Sequence, residues 1–145
     1  MDSRNNIVSI AGNFLIELQR LLLPNGKLNE MEVARRAWRI CRIDDKALFD
    51  EDARRLAKAF QSQAADAFYI ARVSDILVAN SIVVAHKFEA TAMSIEQFQG
   101  DHYYSITLDD CLLFNLPTSC VVLRPGDVGV TLFTGNAAFI GELVN

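Results

Sequence analysis

The chain has 145 residues, of which 51% are hydrophobic and 22% charged, and its formal net charge at pH 7 is −4. This length and composition are typical of one folded domain and argue against a disordered chain. No uninterrupted apolar run approaches the length of a membrane span, and the polar residues 1–6 do not begin a secretory signal, so we expect a cytoplasmic protein with no membrane partner. We predict a single domain over 1–145, mainly helical over 1–72 and mainly β over 73–145.

The charged residues are unevenly distributed. Residues 1–66 carry 11 Lys and Arg against 10 Asp and Glu, whereas residues 67–145 carry only 3 against 8. A β layer so poor in charge cannot present a solvated surface on every side. We therefore expect helices of the same chain, a second copy or another partner to cover part of it.

Two helices are predicted at the start of the chain. Apolar residues recur at three- and four-residue steps over 7–22, and the Pro-Asn-Gly at 24–26 ends that pattern. Asn29 then suits a helix cap, with Glu32 in the position of its capping-box partner and an apolar face over 33–41. The short turn predicts an antiparallel helical hairpin.

A third helix is predicted from Asp50 to about residue 71. Glu51 and Asp52 stand in its first turn, where the helix dipole favours negative charge. The segment 66–73 suits a helix or a strand equally well, because its apolar residues fit both periods.

The second half has the pattern of short strands separated by turns. Strands are predicted at 76–79, 82–91, 103–108, 111–116, 120–123 and 128–133, with a single helical turn at 95–98 and a segment at 137–144 that fits strand or helix. Pro125-Gly126 suits a type II turn and makes 121–133 a hairpin. The predicted class is α+β, with an N-terminal layer of about three helices packed on a C-terminal, mostly antiparallel sheet or small barrel of about five to seven strands.

The best candidate for a binding surface is the second predicted helix. Arg35, Arg39, Arg42 and Lys46 fall on one stripe of it, with Trp38 between the stripe and the apolar face. Aligned guanidinium groups suit phosphates or carboxylates, and Trp and Arg dominate binding hot spots. The alternative is an ordinary solvated helix face. Nucleic acid is the less favoured ligand, because the protein as a whole is acidic.

The sequence carries few signs of catalysis. The candidates are His86, Asp101, His102 and Cys111, since a thiol and an imidazole could form a nucleophilic pair. The alternative is that Cys111 belongs to the core, because Leu112 follows it in an apolar run. No cofactor fingerprint or zinc-ligand spacing is present, so we expect neither a cofactor nor a metal.

These observations favour a non-catalytic protein-interaction module that self-associates, or that binds or inhibits a partner protein. Two alternatives remain open. One is a small enzyme or ligand-binding protein with a pocket between helices and sheet. The other is nucleic-acid binding through the basic helix face.

Overall fold

The computed structural model describes residues 6–45, 47–100, 109–126 and 129–144. These described residues form seven strands and six helices. The strands are β1 (Ile7–Ala11), β2 (Arg39–Ile43), β3 (Ala67–Arg72), β4 (Ile82–Glu89), β5 (Cys111–Phe114), β6 (Cys120–Arg124) and β7 (Thr131–Gly135). The helices are α1 (Gly12–Arg20), α2 (Glu30–Arg35), α3 (Glu51–Gln61), α4 (Val73–Val78), α5 (Ala92–Gln97) and α6 (Ala137–Val144).

The strands form one sheet in the order β1-β4-β3-β5-β6-β7-β2, and each neighbouring pair is antiparallel. Strands from the second half of the chain make up most of the centre. The two edge strands, β1 and β2, both come from the first 45 residues. The N-terminal segments therefore complete the sheet at both ends as well as covering it.

One face of the sheet is covered by α3, α5 and α6. Phe68 and Phe88 of the sheet pack there with Phe60 of α3 and Phe98 after α5, and all four rings are buried. Phe60 and Phe68 stack with their ring centroids 5.2 Å apart. We call this side of the sheet the α3 face.

The opposite face is covered by α1 and α4, and we call it the α1 face. Leu15 and Leu18 of α1 pack with Ile76 of α4 and with buried strand residues such as Leu112. Gln19 joins the two helices, because its Nε2 donates hydrogen bonds to the carbonyl oxygens of Ile76 (3.1 Å) and Ala79 (3.0 Å). The central strands β5 and β6 are buried on both faces, which explains their unbroken apolar sequences.

The α+β class is confirmed, and the sheet is antiparallel as predicted. The barrel alternative is wrong, since the sheet ends at β1 and β2 and does not close. The prediction of an N-terminal helical layer on a C-terminal sheet is only partly correct. Three helices do lie in the first half, but α5 and α6 of the second half share the covering of the α3 face.

The helix predicted over 7–22 divides into β1 and α1. Gly12 separates them with a φ of +60°, a left-handed conformation that glycine adopts without steric cost. Val8 and Ile10 alternate with exposed residues in β1, and the strand pairs with β4 from Ile7 opposite His86 to Ala11 opposite Ile82.

The second predicted helix, which begins at Asn29 and was expected to carry the basic stripe, ends at Arg35. Asn29 caps it as expected, accepting a hydrogen bond from the backbone N–H of Glu32 at 3.3 Å. Ala37 then takes a left-handed conformation with φ 59°, and the chain continues as β2 paired with β7. Tertiary pairing overrides the helical pattern there, because the β-branched Ile40 and Ile43 suit a strand equally well.

Three further segments are now assigned. The ambiguous segment 66–73 contains β3, and the predicted strand 76–79 is replaced by α4. The segment 137–144 is a helix. Asn136 caps its first turn by accepting a hydrogen bond from the backbone N–H of Phe139 at 3.0 Å. The predicted hairpin is confirmed in the pairing of β6 with β7. The predicted strand 103–108 and part of the hairpin turn lie outside the described residues. In the part of the chain that is described, no helix is long and apolar enough to cross a membrane.

Candidate functional site

The structure does not contain the predicted basic helical stripe. Arg35 ends α2, whereas Arg39 and Arg42 lie on β2, and Lys46 lies outside the described residues. The side chains of Arg39 and Arg42 point to opposite faces of the sheet, because they are three residues apart in a strand. The two arginines therefore cannot both bind phosphates that lie along one face of the sheet.

Arg35 and the neighbouring Arg36 are held by acidic residues. Arg35 binds Glu32 through two contacts, Nη2 to Oε2 at 2.5 Å and Nε to Oε1 at 3.1 Å. Arg36 binds both Glu32, at 2.7 Å, and Glu17 of α1. Hydrogen bonding to Arg35 lowers the pKa of Glu32 to about 2, and Arg36 adds to the lowering although burial opposes it. We call Glu17, Glu32 and Arg36 the Arg36 clamp.

The Arg36 clamp was not predicted, although Glu32 and Arg36 stand at the i and i+4 positions that pair on a helix. It fixes α2 against α1 just before β2 begins. Trp38 extends the same arrangement: its ring lies under the Arg36 guanidinium, 5.1 Å from centroid to Cζ, and packs half-buried against the core of the α1 face. Trp38 therefore lies at the margin of the core.

The edge strand β2 is basic on both faces. Arg39 is exposed and, among the described residues, has no ion-pair partner, while Arg42 is paired with Asp44 at 3.0 Å in an exposed contact worth about 0–1 kcal/mol. Ile40, on the same face as Arg42, is 42% exposed. Thus one edge of the sheet presents two arginines and an accessible apolar side chain.

A cavity of about 480 Å³ opens beside this edge on the α1 face. Its apolar wall is formed by Leu28, Ile40, Leu123 and Leu132, and its rim includes Glu30 and Asp110. We call it the edge cavity. Ile40 belongs to the edge strand β2, so the cavity extends over β6 and β7 as far as the edge of the sheet.

The catalytic candidates do not assemble into a site in the described residues. His86 lies on β4 and Cys111 on β5, with β3 between them, so two strand spacings of about 4.8 Å separate their backbones. That distance excludes a hydrogen-bonded thiol–imidazole pair. Asp101 and His102 lie outside the described residues. Burial, helped by the positive charge of Arg72, lowers the pKa of His86.

Cys111 is fully buried in the α3 face, as its alternative interpretation predicts. Its cross-strand neighbours are Arg72 and the buried Arg124, whose guanidinium donates a hydrogen bond to Gln99 Oε1 at 3.4 Å. Arg124 also lies over the ring of Phe98, 5.1 Å from the centroid. Cys120 is also fully buried in the α3 face, and this burial raises the pKa of its thiol. Both cysteines therefore belong to the packing of the sheet.

Over the described ranges, no group of three His, Cys, Asp or Glu side chains is arranged to hold a metal ion. The three cysteines are free thiols.

The other edge of the sheet has a different character. Strand β1 contains no charged residue, and it ends the sheet beside β4. On the α3 face, the helices cover only the end of β4 that contains Phe88, which is 6% exposed. Further along the same side of β4, Val84 and Ile82 are each 52% exposed, and Ile7 of β1 is 47% exposed. Ser9 lies opposite Val84 in this uncovered region. We call Ile7, Ser9, Ala11, Ile82 and Val84 the outer patch.

Sequence reasoning could not find the outer patch, because it assigned β1 to a helix. The one signal available was the charge-poor β half, which predicted an incompletely solvated sheet. Comparison with known protein families, with curated proteins and with solved structures found no match to this chain.

Proposed function

We propose that this protein is a non-catalytic interaction module that self-associates by pairing the β1 strands of two copies. The observation that supports it is the uncharged, exposed β1 edge with the apolar outer patch beside it. Natural edge strands are commonly protected by charges, prolines or bulges, and an edge without them pairs readily with another strand. β1 has neither a charge nor a proline.

A two-fold antiparallel arrangement centred on Ser9 suits the sequence of β1. It places Ser9 opposite Ser9 of the second copy, Val8 opposite Ile10, and Ile7 opposite Ala11. Side chains of the same face meet in each pair, as the alternation of a strand requires. No pair sets a charge against an apolar group, so the edge is complementary to itself.

Pairing of five residues buries too little surface to hold a dimer alone, since stable interfaces bury about 1,200–2,000 Å² in total. Helix α1 can supply the rest, because it follows β1 directly and packs beside it. Phe14 and Ile16 of α1 are both 44% exposed. In the proposed dimer these side chains extend the apolar contact on the α1 face.

A charge exchange at Ser9 tests the arrangement. Ser9 is exposed, so Ser9→Lys and Ser9→Glu should both fold. Each variant sets two like charges across the two-fold axis, at a cost between about 1 and 4 kcal/mol, or roughly a 5- to 1000-fold rise in the dimer Kd. An equimolar mixture of the two variants sets Lys against Glu and should restore the dimer. Molar mass by light scattering on a size-exclusion column, over a series of protein concentrations, measures all three samples.

Val84→Lys is the matched control. It places the same charge on the same patch, but one strand further from the edge, so the two lysines stand about 14 Å apart, beyond the Debye length of about 8 Å at physiological salt. The dimer should therefore survive. A dimer that is lost with Val84→Lys and retained with Ser9→Lys would show face-to-face packing instead. A wild-type monomer at high micromolar concentration would contradict self-association altogether.

The alternatives have weaker support. An enzyme would need a cluster that the described residues do not assemble, and nucleic-acid binding loses the aligned stripe on which it was based. A cytoplasmic location stays a prediction, which the free thiols favour because reducing compartments keep cysteines unpaired.

A further inference from the structure

We infer that the β2 edge is a second binding site, and that it takes an extended acidic segment of a partner protein as an added strand. The site consists of the open side of β2 together with the edge cavity. It is independent of the self-association proposed for β1, since the two strands lie at opposite ends of the sheet.

The arginines of β2 determine the class of ligand. Arg39 and Arg42 project to opposite faces, so a nucleic-acid backbone lying on one face would meet only one of them. A partner strand alternates its side chains in the same way and can set an acidic residue directly opposite each arginine. Arg39 is unpaired within the described part of the chain, and the exposed pair of Arg42 with Asp44 is weak enough to exchange.

The edge cavity determines which side chain of the added strand suits the position opposite Ile40. Ile40 lies on the same face as Arg42 and forms part of the apolar wall. An added strand would place the residue opposite Ile40 on the same face, beside the part of the cavity wall that Ile40 forms, where an apolar side chain of about the size of Leu would pack on Ile40. Backbone hydrogen bonds then supply affinity, and the cavity and arginines supply specificity.

The charges on the far rim do not oppose this assignment. Glu30 and Lys27 have opposite signs, and Asp110 is engaged by the backbone N–H of Gly126 at 2.5 Å. For an antiparallel partner, the order of residues opposite Arg42, Cys41, Ile40 and Arg39 gives the pattern acidic, any, apolar, acidic.

The test is fluorescence anisotropy with a labelled peptide that contains Glu-Val-Leu-Glu between threonines. The control peptide replaces both Glu with Lys. The protein carries Ser9→Lys, so that self-association does not interfere, and a failure of either proposal can be recognised separately. We expect the acidic peptide to bind at least about 5-fold more tightly than the basic one, from two opposite-charge cross-strand pairs.

The double variant Arg39→Glu/Arg42→Glu should reverse this preference, and Ile40→Asp should weaken binding of both peptides. Circular dichroism checks that each variant is folded, and Arg54→Glu/Arg55→Glu, which changes two arginines of α3, is the matched control that should leave the preference intact. Equal binding of the two peptides, no measurable binding of the acidic peptide, or a preference that survives the double reversal would overturn the inference. The inference would also be overturned if a single-stranded oligothymidylate displaced the acidic peptide and its binding weakened steeply with salt. That result would assign the edge to nucleic acid.

Discussion

Replacement of Phe68 by Ala should be among the most damaging single changes to this fold. Phe68 is fully buried on β3 at the centre of the α3 face. Its ring stacks on Phe60 of α3 at 5.2 Å and on Phe88 of β4 at 5.5 Å, and meets Phe98 edge-on at 6.0 Å. It therefore joins the sheet to the helical layer at the point beyond which β4 becomes uncovered.

The expected loss follows from those contacts. Truncating a buried Phe to Ala costs about 3–5 kcal/mol, through lost burial and the cavity left behind. Since three rings lose a partner, the upper half of that range applies. For this chain of 145 residues each kcal/mol lowers Tm by about 2–4 °C, so the Tm should fall by roughly 8 to 20 °C.

Urea denaturation followed by circular dichroism measures the change in the free energy of unfolding. All proteins are compared at one concentration, because self-association would itself add stability. Phe49→Ala is the matched control: Phe49 is 48% exposed, and its truncation should cost less than about 1 kcal/mol. A loss below about 1.5 kcal/mol for Phe68→Ala, or one no larger than that of Phe49→Ala, would refute this account of the core.

Two other predictions concern a turn and an acid-sensitive contact. Ala64 follows α3 with a left-handed φ of 56°, which strains an alanine but not a glycine. Ala64→Gly should therefore raise the free energy of unfolding by about 0.5–1 kcal/mol in the same urea assay. A lower free energy of unfolding would show that the turn is not strained. The pKa of Glu32 is lower in the folded protein, about 2, than in the unfolded chain, about 4.5. Its carboxylate therefore stabilises the fold fully above pH 4.5, and this contribution is lost as the pH falls through 2. Wild type should lose more stability than Glu32→Gln between pH 5 and pH 2.5, and equal losses would contradict the role of the Arg36 clamp.

Local sequence patterns predicted the parts of the fold that depend on local chemistry. The apolar runs of β5 and β6 predicted strands, which the structure confirms, and Asn29 caps α2 with the expected bond to Glu32. The α+β class followed from such segments. The predictions failed where a segment suits two structures and a distant partner decides between them.

β2 is the clearest example of such a segment. The sequence from Trp38 to Ile43 continues the apolar spacing of α2, and only pairing with β7, about 90 residues later, makes it a strand. Arg39 and Arg42 were therefore predicted on a helix but lie on a strand. A helix would align their side chains, whereas the strand divides them between two faces.

The outer patch lay beyond the sequence for a related reason. Its members come from segments more than 70 residues apart, and they meet only because β1 pairs with β4. Exposure of Val84 further depends on where α3 and α5 end over the sheet. Neither fact has a local signature, so the charge-poor β half was the sole indication that some of the sheet would remain uncovered.

The different chemistry of the two edges limits how the sheet can grow. Pairing β1 with β2 of another copy would be head-to-tail and would extend without end. That contact sets Arg39 and Arg42 against the uncharged β1, where neither guanidinium finds a counter-charge, so it is disfavoured against the neutral pairing of β1 with itself. In the proposed dimer, the two-fold pairing occupies both β1 edges, so no further copy could be added there. A β2 edge would then remain at each end of a fourteen-stranded sheet, and the two edges would lie thirteen strand spacings, or roughly 60 Å, apart. The proposed dimer therefore offers two separate sites for acidic segments. It would bind a partner that carries two such segments more tightly than a partner that carries one.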